Sequence, residues 1–85
     1  MPRPPSPSSP QPISPAAAEF GRRVRARRLE LGKSQEQLAA DSDLHWSFIG
    51  QVERGRRNLT LHNILKVAAA LGVDASVLVE GLNSV

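Results

Sequence analysis

Turn signals interrupt this chain so often that only short elements fit between them. Leu31-Gly32, Asp41–Asp43, Gly55–Asn58 and Gly72 each break the run of apolar residues. Glycine supplies left-handed backbone there, while Asp and Asn side chains compete for local hydrogen bonds. Between the breaks, the apolar residues recur at helical spacing. Phe20, Val24 and Leu31 stand four and seven apart on a first helix from Ala16, which Gly32 ends. Ser34 with Gln37 three residues later forms a capping-box pattern for a second helix carrying Leu38 and Ala39. The Asp41–Asp43 stretch reads as a turn, because these side chains disfavour a helix interior. A third helix holds Trp46. Thr60 caps a fourth with Leu61, Ile64, Leu65, Val67, Ala68 and Leu71, and Asp74 caps a last one with Val77, Leu78 and Leu82. No segment sustains strand-like alternation. The predicted fold is all-α, a compact bundle of five short helices.

All seven prolines fall within residues 1–15, among Ser6, Ser8, Ser9 and Ser14. Such a stretch buries too little apolar surface to offset the entropy of ordering, so 1–15 reads as a disordered Pro/Ser-rich tail and 16–85 as the domain. About seventy residues suffice for one small core. The absence of cysteine excludes disulfides and Cys-based zinc sites, and no run is apolar and long enough for a signal peptide or membrane span. His45 and His62 lack a partner at metal-ligand spacing, and no Gly-rich phosphate loop or nucleophile–base pair occurs. The sequence therefore offers no catalytic residue, metal site or cofactor, and the chain reads as a non-enzyme. The net charge of +3 is unevenly placed: Arg22, Arg23, Arg25, Arg27, Arg28 and Lys33 stand against only Glu19 and Glu30, and Arg54, Arg56 and Arg57 follow the Trp helix. Charge clustered this way fits a surface facing phosphates, although a solvated helix face would look the same.

On a wheel of about 100° per residue, Leu44, Phe48, Ile49 and Val52 occupy an arc of roughly 140°. Trp46, Ser47, Gly50 and Arg54 lie opposite, with Gln51 at the edge. The chain's largest apolar side chain is thus expected to point away from the core. Gly50 costs about 1 kcal/mol relative to alanine in a helix, which suggests that something approaches the backbone there, either another helix or a nucleic-acid surface.

The stretch "SQEQLAADSDLHWSFIGQVERGRRNLTLHNILKVAAALGV", Ser34 to Val73, resembles the Cro/phage-repressor type of helix-turn-helix, the XRE family. Gln35, Leu38, Ala39, Ile49, Glu53, Gly55, Ala68, Leu71 and Gly72 stand where the family pattern wants them. Arg57-Asn58 and the "LHNI" after Thr60 look most like small controller regulators of restriction–modification systems. The resemblance implies a lambda-repressor-like domain whose helix 45–53 lies in the major groove of double-stranded DNA. It places Trp46, Ser47 and Gln51 at base edges, and Ser34, Gln35, Arg54, Arg56, Arg57 and Asn58 at the sugar-phosphate backbone. It also implies a structural ion pair between Arg28 and Glu53. A cytoplasmic, nucleoid-associated bacterial regulator follows, most simply a repressor or autoregulator.

Three positions depart from the pattern: Asp43 replaces the usual turn glycine, His45 a Ser or Thr cap, and Gly50 a larger residue. One recognition helix reads few base pairs, so a homodimer on a pseudo-palindromic operator is expected. Val73, Val77, Leu78 and Leu82 are the residues expected at the dimer interface. Two other readings remain open: a protein-interaction adaptor using the Trp46 face, and a DNA-binding antitoxin or controller component of a two-gene system.

Overall fold

Every helix begins at a side chain that closes its first turn. The computed structural model describes residues 11–83, and the helices among them are α1 (Pro15–Glu30), α2 (Gln35–Ser42), α3 (Trp46–Glu53), α4 (Leu61–Ala70) and α5 (Ala75–Val79). No strand occurs among the described residues. Ser34 Oγ accepts from the Gln37 N–H at 3.0 Å, and Gln37 Oε1 accepts from the Ser34 N–H at 2.8 Å, so the capping box is complete. Thr60 and Asp74 cap α4 and α5 as expected. At α3 the cap is His45, whose Nδ1 accepts the Ser47 N–H at 3.2 Å. An imidazole therefore does the work of the missing hydroxyl.

The first helix starts earlier than Ala16. Pro15 is its first residue, and Ser14 Oγ accepts from the Ala17 N–H. Upstream, the Ile13 N–H donates to the Gly55 carbonyl at 2.8 Å. Of the expected tail, residues 1–10 lie outside the described residues, and residues 13–15 carry contacts that belong to the domain.

Leu31 does not continue the apolar stripe of α1. It is the exposed C-cap, and the position after Phe20 and Val24 on the inward face is Arg28. The expected turn at Asp41–Asp43 also shrinks to Asp43 alone. Ser42 stays helical, its buried hydroxyl satisfied within the helix by donating back to the Leu38 carbonyl at 2.6 Å, and Asp41 is held by Lys33 Nζ at 2.8 Å. Asp43 then takes the left-handed conformation, φ 57° and ψ 43°, that glycine usually supplies in this turn.

The core draws on every helix: Phe20 and Val24, Leu38 and Ala39, Ile49 and Val52, Val67 and Ala68, then Leu71 and Leu78. Burying each Leu, Ile, Val or Phe contributes about 1.5–3 kcal/mol over leaving it exposed. Because Ile49 and Val52 are gripped this way, α3 is fixed in rotation and its opposite face is presented outward. Leu44 and Phe48 complete the inner stripe, partly buried. The tightest seam is between α1 and α3, where Gly21 lies against the last carbonyls of α3. A methyl on Gly21 would stand 2.2 Å from the Val52 oxygen and 2.7 Å from that of Glu53. Side chains are excluded there, so backbone meets backbone.

Candidate nucleic-acid interface

The outward face of α3 begins with Trp46, which is 56% exposed despite its size. Its ring stacks on His45 with centroids 6.0 Å apart and planes 27° from parallel. His45 is itself tied by Nδ1 to the Ser47 backbone and lies 2.7 Å from the Ser47 hydroxyl. Three successive side chains thus form one ordered knob at the N-terminal end of α3, and Trp46 points out as expected. Gln51 lies one turn further on. Its carbonyl oxygen accepts from Arg57 Nε, and the Arg57 guanidinium sits 5.6 Å over the Phe48 ring. This places Arg57 against the side of α3, joined to Gln51, rather than loose in the loop. The cation–π contact and the hydrogen bond together hold both groups in one orientation.

Gly50 is closely approached, as expected, but by side chains rather than by the backbone of a neighbouring helix. It is buried, and the nearest atoms to a methyl placed there would be Arg54 Nη2 at 3.3 Å and Gln35 Oε1 at 3.5 Å. Two polar side chains of this same chain cover it. Ser34 and Gln35 lie at the start of α2, with Ser34 engaged in the capping box and Gln35 Nε2 donating to Glu53 Oε1 at 3.1 Å. Arg54, Arg56 and Asn58 are on the segment leaving α3, with Arg54 and Asn58 exposed and Arg56 half-buried.

Arg28 and Glu53 form the anticipated pair. Nε and Nη2 of Arg28 donate to the two carboxylate oxygens at 2.6 and 3.0 Å, and Nη1 donates to the Lys33 carbonyl at 2.9 Å. The side chains are 9% and 3% exposed. The hydrogen bond to Glu53 raises the Arg28 pKa, against the opposing pull of desolvation. Removing one partner would strand the other charge, at about 3–5 kcal/mol. The pair locks α1, the α1–α2 connection and the end of α3 together.

The basic run of α1 turns inward on the protein more than the sequence suggests. Arg22 and Arg23 both bind Glu19, which lowers the Glu19 pKa from its ordinary value to about 2. Arg23 Nη1 also reaches the Leu78 and Glu80 carbonyls, Arg27 Nε the Leu71 carbonyl, and Lys33 Nζ the Ala70 carbonyl. These cations sit at the C-terminal ends of α4 and α5, where unsatisfied carbonyls and the helix dipole favour them. A phosphate-facing surface along α1 is therefore not what most of this charge forms. Among the cations that enter no side-chain hydrogen bond or ion pair within the described residues are Arg25, Arg54 and Arg56.

The residues expected at a dimer seam do not share one face. Leu78 is 1% exposed and closes the monomer's own core, so it has no surface to give a partner. Val77, 52% exposed, and Val73 border a groove of about 350 Å³ rimmed by Arg22, Arg23, Arg27 and Glu30, the last two paired at 2.7 Å. Leu82 borders a different groove of about 440 Å³, lined by Ile13, Phe20, Leu59, Ile64 and Val79. Gly21 was not singled out in the sequence, although an interior glycine was the available signal. The Arg57–Phe48–Gln51 arrangement left no such signal, because it depends on how the segment after α3 folds back.

No group of three or more His, Cys, Asp or Glu residues able to hold a metal occurs among the described residues, and no helix there is long and apolar enough to cross a membrane. The helix-turn-helix family model HTH_3 matches residues 24–78. Control protein C.BamHI of Bacillus amyloliquefaciens is 47% identical over 62 residues, covering 72% of this chain and 76% of that protein. The crystal structure of the restriction-modification controller protein C.AhdI from Aeromonas hydrophila superposes with a TM-score of 0.72 at 48% identity, covering 73% of this chain and 94% of that one. The regulator of biofilm formation SinR, solved in complex with DNA, superposes with a TM-score of 0.69 at 29% identity, over 72% of this chain and 98% of that one. With α2, the Asp43 turn and α3 inside the matched region, this chain belongs to the XRE-type helix-turn-helix family of DNA-binding regulators, alongside the restriction–modification controller proteins.

Proposed function

We propose that this chain is a sequence-specific transcriptional regulator that binds a pseudo-palindromic operator as a homodimer, with α3 in the major groove of each half-site. The observation that carries this reading is the exposed Trp46–Ser47 end of α3, set on a helix whose back is locked by Ile49, Val52 and the Arg28–Glu53 pair. A rigid helix with an outward aromatic, a hydroxyl and an amide is suited to base edges. Ser47 and Gln51 supply donors and acceptors, and the Trp46 face suits a thymine methyl or the groove wall. Arg54, Arg56, Arg57 and Asn58, with Ser34 and Gln35 across the turn, are placed to meet phosphates on either side. The controller relatives favour a regulator of a restriction–modification gene pair, acting in the cytoplasm where such DNA lies, and no catalytic role is assigned.

The groove bordered by Leu82, Val79, Leu59 and Ile64 is the better homodimer seam. It is mostly apolar and adjoins Arg57 and Asn58 of the segment that leaves α3. A two-fold contact through the other groove would have to cover the Arg22–Glu19, Arg23–Glu19 and Arg27–Glu30 ion pairs, whose desolvation disfavours it.

Selection of binding sites from random duplex DNA, followed by footprinting, gives the operator and half-site spacing. Affinity for the selected duplex is expected to fall steeply between about 50 and 200 mM salt as counterions return to the phosphates. Trp46 fluorescence should change on binding. Binding that is flat with salt, or indifferent Trp46 emission, would overturn the assignment and favour a protein partner on that face.

A further inference from the structure

We propose that Gly50 is the seat of a two-residue phosphate clamp, in which Gln35 from α2 and Arg54 from the end of α3 are laid side by side over the backbone of the recognition helix. This rests on the DNA-binding reading and adds a residue that makes no contact with DNA itself.

Three observations converge. First, Gly50 lies on the outward side of α3 yet is buried, and its cover consists of the ends of Arg54 and Gln35, 3.3 and 3.5 Å from where a side chain would begin. A methyl there would need only a shift of a few tenths of an ångström in Arg54, but a branched or longer side chain would extend into the space in which these two groups now lie. Second, Gln35 is held rather than floating. Its amide nitrogen donates to Glu53 Oε1 at 3.1 Å, and Glu53 is fixed from behind by Arg28 at 2.6 and 3.0 Å. One amide hydrogen is therefore committed to Glu53, and the second remains for an acceptor outside. Third, the Arg54 side chain enters no hydrogen bond or ion pair among the described residues, whereas neighbouring Arg57 is bound to Gln51 and packed on Phe48.

A guanidinium resting against a helix with its donors unmatched is prepared for a doubly accepting anion, and the phosphodiester is the acceptor with that geometry. The open space over Gly50 lets Arg54 lie back along α3 toward Gln35, an arrangement that a larger side chain at this position would deny it. The Gln35 amide beside it offers a second donor from the other helix. The clamp thus spans both helices of the motif, and Gly50 is a positioning residue for it. This also accounts for a glycine inside a helix whose sequence otherwise favours larger residues.

The test uses the full chain and four versions of it: wild type, Gly50→Val, Arg54→Ala, and the two combined. Affinity for the selected operator duplex is measured across salt concentrations, with thermal unfolding of each protein alongside. Arg54→Ala is expected to reduce the slope of log affinity against log salt by about 1, the loss of one phosphate contact. Gly50→Val should reduce it by a similar amount while the unfolding midpoint stays near that of wild type. The combined variant should fall no further than either single one. A full slope in Gly50→Val, or equal losses on removing Arg54 in both backgrounds, overturns the clamp. Should Gly50→Val fold poorly, Gly50→Leu, a better helix former that fills the same space, takes its place in the same cycle with the same two outcomes. Absence of salt-dependent binding by the wild type would instead sink the DNA-binding reading on which the clamp depends.

Discussion

Two glycines interrupt helices in this molecule, and they answer to different neighbours. At Gly21 the neighbours are the carbonyl oxygens of Val52 and Glu53, which cannot move without unwinding the end of α3. Gly21→Ala is therefore expected to destabilise the fold by about 3 kcal/mol or more, the upper range for overpacking. At Gly50 the neighbours are the tips of flexible side chains, so Gly50→Ala needs only a shift of a few tenths of an ångström in Arg54. It should stabilise the helix by up to about 1 kcal/mol. Denaturant unfolding at 25 °C measures both, and opposite signs are the expected result. The rule that an interior glycine marks a close approach holds at both sites. Sequence alone does not tell what approaches, because the partners are distant in the chain: α3 backbone in one case, a folded-back arginine and a glutamine of α2 in the other. Trp46 was legible because its outward direction follows from the helical period and from Ile49 and Val52 alone.

Helix starts were the most readable feature at the next scale, since a cap and the backbone N–H that donates to it lie within three residues. The end of α2 was misread for the opposite reason: Asp41 is held by Lys33, eight positions earlier, and Ser42 by its own helix. Capping chemistry also sets the acid behaviour. The Ser76 backbone N–H, then its side chain, lowers the Asp74 pKa, while Arg22 and Arg23 bring Glu19 to about 2. Both carboxylates are depressed in the folded state, so their contribution is complete above the ordinary carboxylate range of about 4 and is lost as pH falls through the folded values. The melting temperature should drop between about pH 4.5 and 2. Asp74→Asn keeps an acceptor for α5 but cannot titrate, so its acid loss should be shallower than that of wild type. Asp74→Ala should lower the melting temperature at neutral pH, because α5 loses the acceptor for the Ser76 N–H. An Asp74→Asn melting curve that tracks wild type throughout this window would remove Asp74 from the account.

For the whole molecule, the five-helix bundle was legible, and the allocation of its outer surfaces was not. Local periodicity identifies an apolar stripe on α5, but whether Leu78 faces a partner or the core depends on where α1 and α4 lie. The same holds for the arginines of α1, two of which, Arg23 and Arg27, serve as helix-end cations only because α4 and α5 pack beside them. The homodimer prediction is accordingly specific about sides. Leu82→Asp should shift sedimentation at tens of micromolar toward monomer mass and weaken operator binding, while Val77→Asp, on the arginine-rimmed groove, should leave the dimer intact. A dimer broken by Val77→Asp and untouched by Leu82→Asp would reverse the assignment.

The hydrogen bond from Ile13 to Gly55, with Pro12 packed on the same glycine, gives the molecule a mechanical property. Tension applied at Gln11 bears on the segment that ends α3 as well as on the start of α1. A load attached upstream of Pro12 therefore pulls on the reading head itself, whereas one attached after Asn83 pulls on α5. The two ends of the chain are not equivalent handles.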